Sequence, residues 1–217
     1  MLYRGNFIKT PIGWKIKELI TAVLKKLGII MTWEKRWELF RTKGLIIGKN
    51  VHMDGTVKID ENFCHLIRIG DNCRITRGVT ILAHDGSMHN ATGGYGTAGI
   101  VDIKENCIIG VNAVILPGVT IGPNVLVAAG SVVNKDIPPD SCVAGVPARR
   151  YGSFSDFISN FKEKIESSYV FTQLQAIDDY EEFKKEKEKM IRKAEKGEII
   201  YKPKLPWVIP NKKHNEK

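Results

Sequence analysis

Aliphatic side chains return at every sixth residue through the middle of this chain. In most hexads a compact or apolar residue follows four positions later, and glycine or another small or acidic residue often comes directly after the aliphatic one. A short period repeated this often is typical of a β-solenoid, in which each hexad forms one strand and a turn and the stacked coils bury the aliphatic column. The column consists of Ile47, Met53, Ile59, Ile69, Ile75, Ile81, Ile103, Ile109, Ile115, Ile121, Val127 and Val133.

Two interruptions break the sixfold period. The step from Ile59 to Ile69 carries four extra residues, among them His65, and the step from Ile81 to Ile103 carries sixteen. A solenoid accepts insertions at its corners because the backbone there faces water, and such loops are where function is placed. The glycines of residues 93–99 predict a flexible or tightly folded lid. They do not predict a phosphate loop, because no strand-then-helix pattern surrounds them.

The segments that flank the solenoid have helical patterns. Residues 16–27 alternate an apolar face with a lysine-rich face, and a second short helix after Thr32 carries Trp33, Trp37 and Phe40. These basic helices cover the open end of the solenoid, lie on a membrane surface, or do both. After the solenoid, Ser153 or Ser155 begins a helix whose apolar residues are expected to pack inward on the coils: Phe154, Phe157, Ile158, Phe161 and Ile165.

A charged helical pattern with a thin apolar stripe covers residues 178–196, and a lysine- and proline-rich tail follows it. The tail is expected to be extended and partly disordered. The sequence therefore predicts an all-β solenoid flanked by N- and C-terminal helices. Its four segments are 1–44 (basic amphipathic helices), 45–150 (the solenoid), 151–197 (C-terminal helices) and 198–217 (extended tail).

Charge is distributed unevenly along the chain. The net charge is +9, and residues 1–50 hold +8 of it, with eleven Lys and Arg against three Asp and Glu. The near-neutral solenoid argues against nucleic-acid binding along its faces. We expect a cytoplasmic protein, membrane-associated at most through residues 1–44, because neither a secretory signal nor a membrane-spanning run is found. Cys73 and Cys107 fall at inward positions of their hexads and are expected to fill the core.

His84 is the candidate for proton transfer, because it stands at the end of a repeat strand as the chain enters the long loop. The alternative is a polar turn residue without a chemical role. Asp85 could orient an imidazole or simply end the strand, and His89 lies deeper in the loop, where positioning is poorer. A metal site of the γ-carbonic-anhydrase type would need three histidines at a suitable spacing. The five histidines of the chain do not supply that spacing, so no metal is expected.

Three stretches of the chain are similar to the left-handed β-helix acyltransferases. Residues 110–122, 128–139 and 144–149 resemble the C-terminal coils of the maltose, galactoside and nodulation-factor O-acetyltransferases. Residues 66–72 and 81–85 look more like the acetyltransferases of capsule, lipopolysaccharide and exopolysaccharide gene clusters. The resemblance covers residues 45–150. His84 is followed by Asp85 where small-sugar enzymes commonly have proline, and Ile108 takes a tryptophan position; both departures favour the polysaccharide branch.

This resemblance implies a left-handed helix, a homotrimer and direct acetyl transfer from acetyl-CoA to a glycan or sugar hydroxyl. It implies that His84 is the general base, and that Asp60, presented from a neighbouring subunit, and Asp85 contact the acceptor. The positions that match the CoA groove are Val111, Ala129, Asn134, Lys135 and Arg149. Three other readings stay open: N-acetylation of an amino sugar, acetylation of a xenobiotic, and a catalytically silent β-helix scaffold.

Overall fold

The computed structural model describes residues 19–20, 23, 33–168, 170–172, 180–197 and 200–202. The chain divides into two compact units, Met1–Leu45 and Ile46–Lys217. Most of the helix predicted over residues 16–27 and most of the tail lie outside the described residues. In the first unit, helix α1 (Trp33–Thr42) buries Trp37 and Phe40, whose ring centroids are 5.9 Å apart. This tryptophan and phenylalanine therefore occupy one face of α1, as the sequence predicted.

Short strands recur along the second unit at the sixfold period. In chain order, its helices are α2 (His89–Thr92), α3 (Phe154–Ser167) and α4 (Tyr180–Ala194), with a 3-10 turn at Cys64–Leu66. The strands are β1 (Ile46–Ile47), β2 (His52–Met53), β3 (Lys58–Ile59), β4 (Ile67–Ile69), β5 (Arg74–Ile75), β6 (Thr80–Ile81), β7 (His84–Asp85), β8 (Thr97–Ala98), β9 (Val101–Ile103), β10 (Ile108–Ile109), β11 (Val114–Ile115), β12 (Thr120–Ile121), β13 (Val125–Val127), β14 (Val132–Val133), β15 (Ser141–Ala144), β16 (Arg149–Gly152), β17 (Val170–Thr172) and β18 (Ile200–Lys202).

Twelve of these strands stack as three parallel faces of a coil. The first face has the order β1-β4-β9-β12, the second continues β2-β5-β10-β13 with β15 and β16, and the third has β3-β6-β11-β14. Successive coils pair in register, as at Ile109 with Val127 and Ile115 with Val133. Each of the twelve strands contains one residue of the predicted aliphatic column, so the period does mark the strands of a parallel β-helix.

The aliphatic column is the core of the second unit. Every member from Met53 to Val133 is at most 6% exposed, and only Ile47, in the first coil, is half-buried. Burying one such side chain stabilises the fold by roughly 1.5–3 kcal/mol. Cys73 and Cys107 extend this core, since both are buried and their thiols donate to the carbonyls of Lys104 and Gly122. The core role predicted for these two cysteines agrees with this placement.

One corner of the coils is built from a ladder of asparagines. Asn50, Asn72, Asn106 and Asn124 all have positive φ between 54° and 58°. Each side-chain amide of the first three donates to the amide oxygen of the next asparagine at 3.2 Å. Asparagine tolerates this left-handed backbone better than other residues with a Cβ. The ladder therefore sets the turn and links four successive coils at the same time.

Replacing Asn106 should separate these two contributions. In Asn106→Gly the backbone keeps its φ of 58° and only the ladder contacts are lost, so we expect a destabilisation of about 1 kcal/mol. Asn106→Ala loses the same contacts and also strains the backbone, for about 2 kcal/mol in total. Urea unfolding of both variants gives the comparison. Equal losses in the two would contradict the role of the backbone conformation.

The helix α3 differs from expectation in its packing. Ser153 begins it, accepting from the backbone N–H of Asp156 at 3.0 Å, as predicted. Phe154 and Ile158 are half-buried, but the other three apolar side chains predicted to pack inward do not do so in one chain: Phe157, Phe161 and Ile165 are each at least 40% exposed. The first turn of the helix is hydrogen-bonded to the coils, because the backbone N–H and the hydroxyl of Ser155 donate to the carboxylate of Asp140. No helix among the described residues is long and apolar enough to span a membrane.

Candidate active site

The long interruption forms a hairpin that leaves the coils directly after β6. Strands β7 and β8 pair antiparallel, with His84 opposite Ala98, and the Gly99 N–H donates to the Ala83 carbonyl at 2.9 Å. The loop therefore returns to the coil at Gly99, which lies in space next to Ala83, the residue at which it left. His84 lies on the first strand of this hairpin and not in an irregular loop, so its backbone is held by the pairing with Ala98 and by the hydrogen bond from its N–H to Asp60 of the preceding coil.

Asp60 lies beside His84, one coil earlier on the same face. Its Oδ2 accepts hydrogen bonds from the backbone N–H groups of Ala83 and His84, both at 3.1 Å, and contacts the Nδ1 of His84. Its Oδ1 accepts from the Phe63 N–H at 3.3 Å. The Asp60 side chain is 3% exposed and that of His84 is 38% exposed. The structure thus places the Asp60 carboxylate against the imidazole of its own chain, and the contact of Asp60 with an acceptor stays a prediction.

The hydrogen bonds around Asp60 hold it in the charged form. Burial of the carboxyl group acts to raise its pKa, but hydrogen bonds from the His84 ring and from the Ala83 and Phe63 N–H groups outweigh burial, so the pKa of Asp60 is lowered. A carboxylate on Nδ1 requires the proton of the neutral imidazole to be on that nitrogen. The Nε2 of His84 then carries the lone pair, which is what a general base needs.

An aromatic side chain that the sequence did not single out completes this arrangement. The Phe63 ring stacks on the His84 ring, with centroids 4.6 Å apart and planes inclined by 25°. His65 lies further along the same stack, with its centroid 6.2 Å from that of Phe63. The one feature of the sequence that could have pointed to Phe63 is the four-residue insertion after Ile59, because Phe63 lies in the interrupted step. Its period break could locate the segment but not the direction of the ring.

Asp85 and His89 have contacts within the loop. The exposed carboxylate of Asp85 accepts from the Ser87 N–H at 2.8 Å and closes a turn, which lowers the pKa of Asp85. His89 is exposed at the start of α2, and its ring lies against two glycines. A Cβ added at Gly86 or at Gly96 would lie within 2.9 Å of a ring atom of His89. His89 therefore packs the loop together, away from the Asp60 carboxylate.

The five residues predicted for the CoA groove lie in three places in one chain. Val111 and Ala129 are adjacent on one corner, because the Gly130 N–H donates to the Val111 carbonyl at 2.8 Å. Asn134 and Lys135 are exposed and follow β14, at the next corner of the coil. Arg149 is exposed at the start of β16. The structure thus brings the first pair together, and all five are solvent-accessible in the isolated chain.

Two coils approach each other closely at the corner with Val111. A Cβ at Gly110 would lie 2.5 Å from the backbone nitrogen of Ala129, so the two coils touch at this glycine. Val111 itself is 41% exposed. In the part of the chain that the structure describes, no group of three or more His, Cys, Asp or Glu side chains is arranged to hold a metal ion.

Residues 101–135 match the family described as bacterial transferase hexapeptide (six repeats). The galactoside O-acetyltransferase of Escherichia coli (strain K12) is 37% identical over 127 residues, which are 56% of this chain and 62% of that protein. The chain therefore spans less than two thirds of the length of this relative. The family match and the parallel three-faced stack confirm the predicted fold class, a left-handed parallel β-helix of hexapeptide repeats.

Two solved structures are also similar to the chain. A hexapeptide-repeat-containing acetyltransferase from Vibrio cholerae is 24% identical with a TM-score of 0.48, covering 67% of this chain and 94% of that chain. A galactoside acetyltransferase in complex with coenzyme A is 30% identical with a TM-score of 0.47, covering 58% of this chain and 73% of that one. The resemblance to hexapeptide-repeat acyltransferases that the coil residues indicated is thus found in sequence comparisons as well.

Proposed function

We propose that this chain, which carries the hexapeptide repeats of bacterial transferases, is an acetyl-CoA-dependent O-acetyltransferase acting on a sugar or surface-polysaccharide hydroxyl. The observation that carries the proposal is the contact of the buried Asp60 carboxylate with Nδ1 of His84. It leaves Nε2 as a base at a partly exposed position beside a loop. The 37% identity to a galactoside O-acetyltransferase supports acetyl as the transferred group and a sugar hydroxyl as the acceptor.

His84 would move one proton twice during the transfer. Its Nε2 takes the proton from the acceptor hydroxyl while the hydroxyl oxygen bonds to the acetyl carbonyl carbon. The bond from that carbon to the CoA sulfur then breaks, and Nε2–H returns the proton to the departing thiolate. Asp60 stabilises the imidazolium between the two steps, as the carboxylate does in the triad of serine proteases. No nucleophilic side chain is needed, because acetyl-CoA supplies an activated thioester.

The five residues at these three places fit CoA in their chemistry. Lys135 and Arg149 are exposed cations suited to its phosphates, and Val111 and Ala129 offer a narrow apolar edge to its pantetheine arm. Asn134 adds an amide next to Lys135. We place all five residues at the CoA site. The acceptor would then meet His84 from the side of the loop, where Asp85 is exposed.

Calorimetric titration with CoA tests this placement. We expect the wild-type chain to bind CoA. The double variant Lys135→Gln, Arg149→Gln should bind CoA at least about 10-fold more weakly, because two charge-assisted contacts to phosphate are lost. Lys104→Gln is the matched control, since the Lys104 ammonium pairs with Asp102 at 2.7 Å. An absence of heat and of any thermal stabilisation with the wild-type chain would support the silent scaffold instead.

The acceptor class can be measured without knowing the acceptor. Release of free thiol from acetyl-CoA would be followed against a panel of neutral sugars, oligosaccharides, amino sugars and hydroxylated antibiotics. We expect the highest kcat/KM with a neutral saccharide. Faster transfer to an amino sugar with a free amine, identified by mass spectrometry of the product, would replace the O-acetyltransferase proposal with the N-acetyltransferase one.

We also propose that the chain works as a homotrimer with active sites between neighbouring subunits. The outward side chains of the second and third faces are apolar in the later coils and only half-buried in one chain, as a subunit boundary requires: Ile108, Val114, Leu126 and Val132. Sedimentation equilibrium would give the oligomeric state. A cytoplasmic location, contact of residues 1–44 with membranes, and the four-segment domain division stay proposals of the same kind.

A further inference from the structure

We infer that Phe63 is a positioning residue for His84, holding the imidazole at the angle that proton transfer needs. The inference rests on the proposed role of His84 as general base. It concerns the insertion between Ile59 and Ile69, whose four extra residues neither the repeat nor the CoA site accounts for. Asp60 begins this insertion and Phe63 lies three residues later. Both Asp60 and Phe63 contact the His84 ring.

The backbone of Phe63 is fixed on both sides. Its N–H donates to Asp60 Oδ1 at 3.3 Å, and its carbonyl accepts from the Leu66 N–H at 2.9 Å in the 3-10 turn. The next residue, Cys64, is 1% exposed and anchors the turn in the core. A phenyl ring has only two side-chain torsions, so a fixed backbone leaves little freedom to the ring. Phe63 is thus a rigid support and not a mobile surface side chain.

The two contacts on His84 restrain different motions. The Asp60 carboxylate holds one ring atom, Nδ1, and by itself leaves the imidazole free to rock about that contact. The Phe63 ring covers one face at a centroid distance of 4.6 Å, within the range of offset stacking, and blocks this rocking. Because the lone pair of Nε2 lies in the plane of the imidazole ring, fixing that plane also fixes the direction in which Nε2 can accept a proton. Since a displacement of about 1 Å can cost 10²-fold in rate, the second restraint matters for catalysis.

A purely structural role is the competing explanation, and the position of Phe63 argues against it. The side chain is half-buried, in contrast to the aliphatic column, which is almost completely buried. Its ring lies near two imidazole rings, that of His84 at 4.6 Å and that of His65 at 6.2 Å between centroids. A residue that served the core alone would point into the coil with Cys64. The phenyl ring instead lies in the site.

Three variants test the inference: Phe63→Ala, Phe63→Leu and Phe63→Tyr. We expect Phe63→Ala to lower kcat about 10-fold while KM for acetyl-CoA stays within about 2-fold, because stacking is lost and the CoA site is untouched. Phe63→Tyr keeps the ring and should restore kcat to within about 2-fold of wild type. Phe63→Leu, apolar but without a flat ring, should behave as alanine does. Phe157→Ala, an exposed phenylalanine of α3, is the matched control.

A second readout does not depend on activity. Relaxation of the ring carbons in protein with labelled histidine reports the mobility of His84, assigned by the signal that is lost in His84→Gln. We expect an order parameter near 0.85 in wild type and below about 0.6 in Phe63→Ala. Circular dichroism melts ensure that all variants are folded.

The two readouts separate failure of this inference from failure of the proposed function. An unchanged His84 ring mobility in a folded Phe63→Ala protein would overturn the positioning role, whatever the activity. Unchanged kcat in Phe63→Ala would overturn it too. Wild-type activity in His84→Gln would instead overturn the base assignment, while the ring relaxation data would still decide whether Phe63 restrains His84.

Discussion

His84→Ala should reduce acetyl transfer by about 10³-fold or more while leaving CoA binding intact. General-base catalysis contributes about 10²–10⁴-fold, and here the same nitrogen also returns the proton to the leaving thiol. The alanine removes the only imidazole that contacts Asp60 among the described residues. Initial rates of thiol release give the first quantity, and calorimetric titration with CoA gives the second.

His89→Ala is the matched control for that loss. The His89 ring packs against Gly86 and Gly96 and does not meet the Asp60 carboxylate, so its removal loosens the loop without removing the base. We expect a decrease of less than about 10-fold, with the effect mainly on acceptor KM, because loop order affects positioning. Full activity in His84→Ala together with loss in His89→Ala would transfer the role of base to His89.

Asp60→Asn should lower kcat by about 10²-fold or more, with little change in KM for acetyl-CoA. The amide cannot neutralise the imidazolium and no longer fixes the proton on Nδ1, and a comparable change in serine proteases costs about 10⁴-fold. The control is Asp54→Asn. The pKa of Asp54 is likewise lowered, through hydrogen bonds from Thr56, but Asp54 makes no contact with His84. Its kcat should stay within about 2-fold of wild type, since it lies outside the charge network of the base.

Asp60→Asn should also change the stability of the fold in a way that depends on pH. Because the folded-state pKa of Asp60 is lowered from its ordinary value of 3.8, its carboxylate stabilises the fold at any pH above that value. The contribution is lost as pH falls through the folded-state pKa. At pH 7, Asp60→Asn should lose about 2 kcal/mol, since the amide NH₂ opposes buried N–H donors. Urea unfolding should show the gap between variant and wild type narrowing below pH 4; a gap independent of pH would contradict this account.

The repeat made most of the fold predictable from the sequence. Each aliphatic position lies in a short strand, since burial on one side of a flat coil demands an apolar residue at one fixed step. The repeat also made His84 predictable as a candidate, because His84 follows Ile81 at the point where the period breaks. The exposure of the α3 face was not predictable. The spacing of Phe157, Phe161 and Ile165 shows that they share a face, but spacing carries no information about what covers it.

The partners of His84 were harder to predict because they come from another coil. Asp60 follows Ile59 as Leu82 follows Ile81, so the two hold equivalent places on stacked strands. This equivalence places Asp60 near the start of the loop. It does not show that the carboxylate turns inward to Ala83 and His84, which depends on the insertion after Ile59. The stacking of Phe63 depends on the same local backbone and required the structure.

The hairpin base at Ala83 and Gly99 has an evolutionary consequence. Because the chain leaves and re-enters the coil at adjacent points, the length of the intervening segment does not affect the strands on either side. Changes in the length of this segment therefore leave the pairing of the coils intact. Asp60 lies on the coil side of that boundary, and His84 is the first residue beyond it, at the start of the hairpin. New acceptor preferences can therefore arise by exchange of the segment between the paired strands β7 and β8, while the dyad of Asp60 and His84 is inherited unchanged.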